Sequence, residues 1–307
     1  MNKGEDQITA WFAEQVKLSA DEFPIGIGDD MAEVRIGGES VLITTDMLLD
    51  GVHFDLARAG AEQVGYKAMA VSLSDCAAMA TEPLAAVVSV GLCAGFGAEQ
   101  LKELHKGIVR AGDRYGCKLI GGDITAWKGG GRFVISVAML SRRAGCEPVR
   151  RSGAKAGDVI CATGTLGGSY HGKHLTFEPR VREAIAIAKM VTLNSMMDIS
   201  DGLSSDLNRI CRRSGVGAVI EAELVPISEQ AKSSDDPLSA ALNDGEDFEL
   251  LFTLSGADYE KLIRKWPGDL RITRIGTATE EKKLLIKNAD GKIQELEIKG
   301  FDHLSDD

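Results

Sequence analysis

At 307 residues the chain is long enough for two domains, each with its own buried core. Its 44% hydrophobic and 26% charged residues are the proportions of an ordinary globular protein. A formal net charge of -11 excludes a broad nucleic-acid-binding surface, which needs a basic stripe, but leaves room for a local basic pocket around an anionic substrate.

Met1–Val16 is polar and then amphipathic, without an apolar stretch of signal-peptide length, so no secretory leader is expected. No run of about 18 apolar residues occurs, so no membrane span is expected either. The six cysteines (Cys76, Cys93, Cys117, Cys146, Cys161 and Cys211) form no C-x-x-C pair. Free thiols in the cytoplasm, without structural zinc, are the expected state.

Residues 5–18 are predicted as an amphipathic helix, with Ile8, Trp11, Phe12, Gln15 and Val16 on one largely apolar face. A turn at Gly26–Asp30 follows, then strands 32–36 and 41–45 joined through Gly37-Gly38, a hairpin signal. Helices are predicted at 61–80 and 98–115, with an apolar strand at 84–92 between them and strands at 118–120 and 133–140 after them. Gly129-Gly130-Gly131 reads as a flexible hairpin. A second unit opens at Arg151–Asp158. Its strands are predicted at 159–163, 195–199, 218–222, 249–253, 271–278, 283–286 and 293–298, the last two paired. Its helices are predicted at 180–191, 203–213 and 256–265, with a polar loop around 233–237. Strands and helices mix without regular alternation, so the class is α+β. The polar, small stretch Ser141–Gly145 sets the boundary, giving domains 1–145 and 146–307.

Five short motifs carry the chemistry: Gly28-Asp29-Asp30, Thr44-Thr45-Asp46, Leu73-Ser74-Asp75, Gly121-Gly122-Asp123 and Asp198-Ile199-Ser200-Asp201-Gly202. Each sets a carboxylate beside small or hydroxyl residues at the end of an apolar segment, where a strand is expected to give way to a functional loop. Such hard oxygens suit Mg²⁺, which takes a few carboxylates plus phosphate oxygens and water. Two carboxylates about 4 Å apart repel by roughly 4 kcal/mol at an effective dielectric of about 20, so several that converge need a cation. Taken singly, an Asp-Gly pair is a turn or a helix cap, and Asp158 is given no chemistry. No P-loop, protein-kinase glycine loop or dinucleotide fingerprint is present. A phosphate site must therefore be built from acidic loops.

Read in order, Gly26-Ile27-Gly28-Asp29-Asp30, Thr44-Thr45-Asp46-Met47-Leu48, Tyr66–Asp75 (YKAMAVSLSD) and Gly121–Thr125 resemble the thiamine-monophosphate kinase family. So do Thr163-Gly164-Thr165, Asp198–Leu203, Gly245–Leu250 (GEDFEL) and the closing Lys299-Gly300-Phe301-Asp302-His303. The resemblance implies a fold of two α/β domains. The N-terminal one would carry a mixed or antiparallel sheet that forms a dimer barrel, and the C-terminal one a sheet covered by helices. It implies Asp30, Thr44, Thr45, Asp46, Asp75, Asp123, Asp198 and Asp201 as Mg²⁺ ligands. Gly122, Asp123, Arg151 and Ser200 would contact ATP, while His53, Glu246 and Phe301 would face thiamine monophosphate. Asp46, Asp75, Asp123 and Asp201 would act directly in catalysis.

The implied reaction is in-line transfer of the ATP γ-phosphoryl group to the phosphate of thiamine monophosphate, giving thiamine diphosphate. Such a transfer needs positioning and charge neutralisation more than covalent help. The acceptor is already ionised, so no strong base is needed, in line with the missing His/Asp or Cys/His pair; Ser200 and the cysteines are not read as nucleophiles. Two alternatives stand beside it. One is a superfamily relative that activates an oxygen as an acyl- or iminophosphate-type intermediate; the other is a non-catalytic homologue that binds nucleotide or thiamine phosphate. Asp244, where the family has a glycine, adds a carboxylate expected to weaken a phosphate contact or shift a loop. Phe248 replaces a tyrosine. The stretch from Gly164 to Asp198 is shorter than the family's, and its His171 and His174 are expected in a solvated loop.

Overall fold

The computed structural model describes residues 4–301 and 303–304. Asp302 of the closing motif lies outside the described residues. The first half of the chain builds a five-stranded sheet from β1 (Ala32–Ile36), β2 (Glu39–Leu49), β3 (Thr81–Leu92), β4 (Lys118–Ala126) and β5 (Val134–Arg143), in the order β1-β2-β5-β3-β4. All neighbours are antiparallel except β3 and β4, which α3 (Ala98–Asp113) connects as a parallel pair. The second half builds a seven-stranded sheet in the order β12-β11-β8-β10-β6-β9-β7. Its members are β6 (Val159–Thr163), β7 (Leu193–Asp198), β8 (Gly217–Glu221), β9 (Leu250–Leu254), β10 (Ile272–Thr279), β11 (Leu284–Lys287) and β12 (Ile293–Glu295). The helices are α4 (Val181–Met190), α5 (Leu203–Ser214), α6 (Pro237–Asn243) and α7 (Gly256–Lys265). The architecture is mixed α+β with two sheets, as expected. No described helix is long and apolar enough to cross a membrane.

The long α2 (Leu56–Ala78) is the axis of the molecule and is buried along most of its length. Its small residues explain why. A Cβ on Gly65 would lie 2.1 Å from the Leu104 carbonyl of α3, and one on Gly107 would lie 1.9 Å from the Glu62 carbonyl of α2. The two backbones therefore touch at a distance that only glycine permits. One hydrophobic core joins α2 to the inner face of the five-stranded sheet (Val88, Ile135, Val137) and continues to Met196, Phe252 and Ile187 of the second half. The opposite face of the seven-stranded sheet forms a second core with α5, through Ile160, Met197, Leu207 and Leu251. β6 sends Val159 and Cys161 to one core and Ile160 and Ala162 to the other. That double burial is why it reads as a continuous apolar run.

Three expectations are corrected. The first helix, α1 (Glu5–Gln15), ends before residue 18, where Val16 is extended, and Trp11 and Phe12 on its apolar side are exposed rather than covered. β4 runs through Gly121-Gly122-Asp123 to Ala126, because the ladder offered by β3 holds even glycines extended. The polar loop expected around 233–237 leads into an unpredicted helix, α6, capped by the Asp236 side chain accepting from the Ser239 N–H, with proline in the first turn.

Candidate active site

The carboxylates do not all sit where strands become loops. Asp30 lies in the turn before β1 and Asp198 ends β7, but Asp46 is inside β2, Asp75 inside α2 and Asp123 inside β4. What brings Asp46, Asp75 and Asp198 together is a single turn of α2. Ser72 Oγ donates to Asp46 at 2.5 Å, Ser74 Oγ donates to Asp198 at 2.6 Å, and Asp75 accepts from the Thr44 hydroxyl. One helical turn thus ties carboxylates from both sheets to one place. Asp30, Asp75 and Asp198 can each offer one oxygen such that all three lie within 4.8 Å of one another.

These acids are in the wrong medium for bare charge. Burial, then the neighbouring Asp30, pushes the Asp198 carboxyl up to about 7, against the Ser74 hydrogen bond and Arg151. Burial likewise pushes Asp46 up to about 6, with Asp30 adding to it and Ser72 opposing. Asp75 is raised well above its ordinary value by burial and by Asp46, Asp198 and Asp30 together. Among the described residues Arg151 hydrogen-bonds to this group, bidentate on Asp30 at 2.7 and 3.2 Å. Asp46, Asp75 and Asp198 are held by hydroxyls instead, so the negative charge of the group exceeds what that guanidinium offsets. Oxygen-only donors with that excess of negative charge fit a divalent cation of the Mg²⁺ kind.

Other residues named from the sequence lie around this cluster or away from it. Alternation along β2 turns Thr44 and Asp46 inward and Thr45 to the exposed face. Asp201 accepts from Arg209, which also holds Asp206 at 2.7 Å. Ser200 accepts the Glu246 N–H at its carbonyl, 2.6 Å away. Gly122 and Asp123 are not gathered in. Asp123 is exposed and in register with Ser89, on a strand separated from β2 by β5 and β3, roughly 14 Å in strand spacings.

Beside the cluster opens a cavity of about 270 Å³ that includes Asp46, His53, Tyr170, Asp201, Glu246 and Phe301 in its wall. The three residues expected to face substrate are therefore together, with Asp46 at the boundary between cavity and cluster. His53 Nδ1 accepts the Leu49 N–H at 3.0 Å, and burial, then Lys67 and His303, lowers the ring to about 4. It is a neutral imidazole at physiological pH. Glu246 pairs with the fully buried Lys67 of α2 and has a positive φ of 57°. Phe301 enters through its N–H, which donates to the Asp201 carbonyl at 3.0 Å, and its ring meets His303 edge-on.

The GEDFEL loop is a network of buried charges rather than a free binding loop. Asp247 accepts from the Gly167 N–H and from Ser169 Oγ, while Glu249 is held by Arg180 at 2.7 and 2.8 Å and by Thr163. Asp244 accepts the Gly168 N–H at 2.9 Å through Oδ2 and also lines the cavity beside Glu246, so the departure from the family places a further carboxylate in that wall. Phe248 stacks on Phe177 at 4.0 Å and lines the cavity. The short 164–198 segment is not solvated throughout: His171 is exposed, but His174 is buried, with Nδ1 2.9 Å from the Ser169 carbonyl.

Sequence reasoning missed Lys67, Ser72, Ser74 and Tyr170 as site residues. The first three stood inside YKAMAVSLSD, and their polar groups in an otherwise apolar, small-residue helix were the available signal. Tyr170 offered none.

The chain is similar to known proteins over nearly its whole length. The AIR synthase related protein family matches in two parts, its N-terminal domain over residues 28–142 and its C-terminal domain over 155–287. The thiamine-monophosphate kinase of Rhodopirellula baltica is 36% identical over 292 residues, covering 91% of each chain. That of Methanospirillum hungatei is 37% identical over 284 residues, covering 90% of this chain and 92% of the relative. Among solved structures, AaThiL complexed with AMPPCP and TMP superposes with a TM-score of 0.83 at 31% identity, over 98% of this chain and 97% of that one. With relatives this similar along nearly the whole length, the chain belongs to the thiamine-monophosphate kinase family.

Proposed function

We propose that the protein phosphorylates thiamine monophosphate with ATP to give thiamine diphosphate, in a Mg²⁺-assisted in-line transfer. One observation carries the reading: Asp46 forms part of the wall of the acceptor cavity and is grouped with the buried carboxylates Asp30, Asp75 and Asp198. Substrate-facing and metal-facing groups thus adjoin at a single residue. Asp30, Asp46, Asp75 and Asp198, with the Thr44 hydroxyl, would hold Mg²⁺, and Asp201 would join them once released from Arg209. Bound there, the ion would neutralise phosphate charge that the carboxylates alone repel.

The chain's own groups position the reactants. Arg151, on the cluster's open side, and Ser200 would contact ATP, while His53, Glu246 and Phe301 hold the acceptor. Asp46 and Asp75 keep the cluster anionic where donor and acceptor meet. Gly122 and Asp123 lie on or near the outward side of the five-stranded sheet and enter this scheme only with a second copy, while Thr45, exposed on that side of β2, also lines the cavity next to Asp46. We propose that copy as the partner in a homodimer. The outward face exposes Ile43 and Met47 of β2 and Val87 of β3, an apolar surface suited to a second sheet and to the barrel named above. The domains divide at 145/146, between β5, the last strand of the first sheet, and β6. The six unpaired cysteines fit a reducing compartment, the cytoplasm.

The test is direct. Pure protein with ATP, Mg²⁺ and thiamine monophosphate should yield thiamine diphosphate on chromatographic separation of the esters. No diphosphate under conditions where ATP binds would sink the reading.

A further inference from the structure

Lys67 has no place in the metal cluster, yet its side chain is fully buried, at 0% exposure. An ammonium withdrawn from water is tolerated only when its hydrogen bonds are made. Its Nζ donates to Glu246 Oε2 and, at 2.5 Å, to the carbonyl oxygen of His53. Those two residues belong to different halves of the chain and form two walls of the same cavity. Resting on the kinase reading above, we infer that Lys67 is a positioning residue: one buried ammonium fixes the spacing of the two groups that read the acceptor's ring.

The geometry supplies the reason. His53 Nδ1 accepts the Leu49 N–H, so the neutral ring carries its proton on Nε2 and is a donor there. Glu246 gives Oε2 to Lys67, and Oε1 has no hydrogen-bond donor among the described residues. The cavity therefore offers one donor and one acceptor. That complements an aminopyrimidine, whose ring nitrogen accepts and whose exocyclic amine donates. Glu246 has a backbone conformation unfavourable for a residue with a Cβ, and the Ser200 carbonyl holds its N–H at 2.6 Å. Lys67 fastens the other end of that residue. Without the ammonium, the carboxylate would be buried unpaired and would turn away or take up a proton, and the acceptor half of the pair would be lost.

The experiment is a double-mutant cycle with Lys67→Met, Glu246→Gln and the double variant, read as separate KM values for thiamine monophosphate and ATP. Lys67→Met should raise KM for thiamine monophosphate on the order of 30-fold, the scale for breaking a buried charge pair. KM for ATP should stay within about twofold, since the ammonium reaches no group on the nucleotide side. In the Glu246→Gln background the further loss on removing Lys67 should be less than about threefold, because the lysine acts through the carboxylate. If Lys67→Met does not fold, the double variant, which removes both charges, carries the test by comparison with Glu246→Gln alone. An unchanged KM for thiamine monophosphate, equal rises in both KM values, or losses that multiply in the double variant would each overturn the inference. Failure of the unmodified chain to form thiamine diphosphate would instead overturn the kinase reading, and the inference with it, before any variant is compared.

Discussion

Asp46 lines the cavity and lies among the buried carboxylates, and that environment makes definite predictions. Asp46→Asn keeps the shape and the Ser72 contact while removing a charge from a crowded buried group. The fold should be retained, with a melting temperature equal to or above that of the parent. Diphosphate formation should fall by a factor of about 10² to 10³, as for loss of one transition-state-stabilising group. Full activity would show that the metal site lies elsewhere. The same crowding has a pH signature. Asp46 and Asp198 are raised to about 6 and about 7 from an ordinary 3.8, so their ionisation works against the folded state. Their contribution is fully present below about 3.8, falls as pH rises above it, and is gone once pH passes about 6 to 7. The rise in melting temperature between scans in chelator and scans in Mg²⁺ should therefore be larger at pH 8 than at pH 5. Equal stabilisation at both values would contradict it. The sequence displayed these aspartates plainly, because acids beside glycine and serine are conspicuous. It could not show that Thr45 and Thr44 face opposite ways, or that Asp123 is strands away, because both depend on pleat and strand order. Lys67 looked like one more charge in a helix; only its partners, Glu246 far along the chain and the His53 carbonyl, reveal its place.

At the scale of elements, α2 and its neighbour α3 set how rigidly the site is held. In most helices, replacing an interior glycine by alanine gains up to about 1 kcal/mol. At Gly107 the new methyl would meet the Glu62 carbonyl, at 1.9 Å, and the Tyr66 N, so the sign reverses. Gly107→Ala should cost about 1–3 kcal/mol, read as a lower urea midpoint with unchanged slope. A gain in stability would mean that the helices separate easily and that α2 is not fixed by this contact. Most elements were legible because their periodicity was strong: β6 and α7 have the predicted bounds. Where the prediction failed, tertiary pairing overruled local signals. β4 crosses two glycines because β3 completes its ladder, and α6 needed the Asp236-Pro237 start to be weighed above its polar surroundings.

For the whole molecule, the exposed apolar face of the five-stranded sheet bears on assembly. Ile43 and Met47 are 41% and 61% exposed there. Replacing both by lysine leaves the inner core untouched and should convert a dimer to a folded monomer in sedimentation experiments. A monomeric parent, or a variant that stays dimeric, would remove this face as the interface. The α+β class was foreseeable from the irregular order of strands and helices and the two domains from chain length, while a sheet in each half was what the resemblance implied. The fusion of the two halves through one core around α2 was not, since no local pattern records which helix lies between two sheets. The last wall of the acceptor cavity has a consequence for biogenesis. Phe301 is anchored by its N–H on the Asp201 carbonyl, whereas the last strand that positions the clustered carboxylates is β9, whose Leu250 pairs with Asp198 at the edge strand β7. During synthesis, which delivers the chain from its N-terminus, the phosphate-facing half of the site can mature before the chamber for the vitamin has its closing side. Chains released prematurely, short of Phe301, would be nucleotide sinks: able to gather metal and ATP, unable to grip an acceptor.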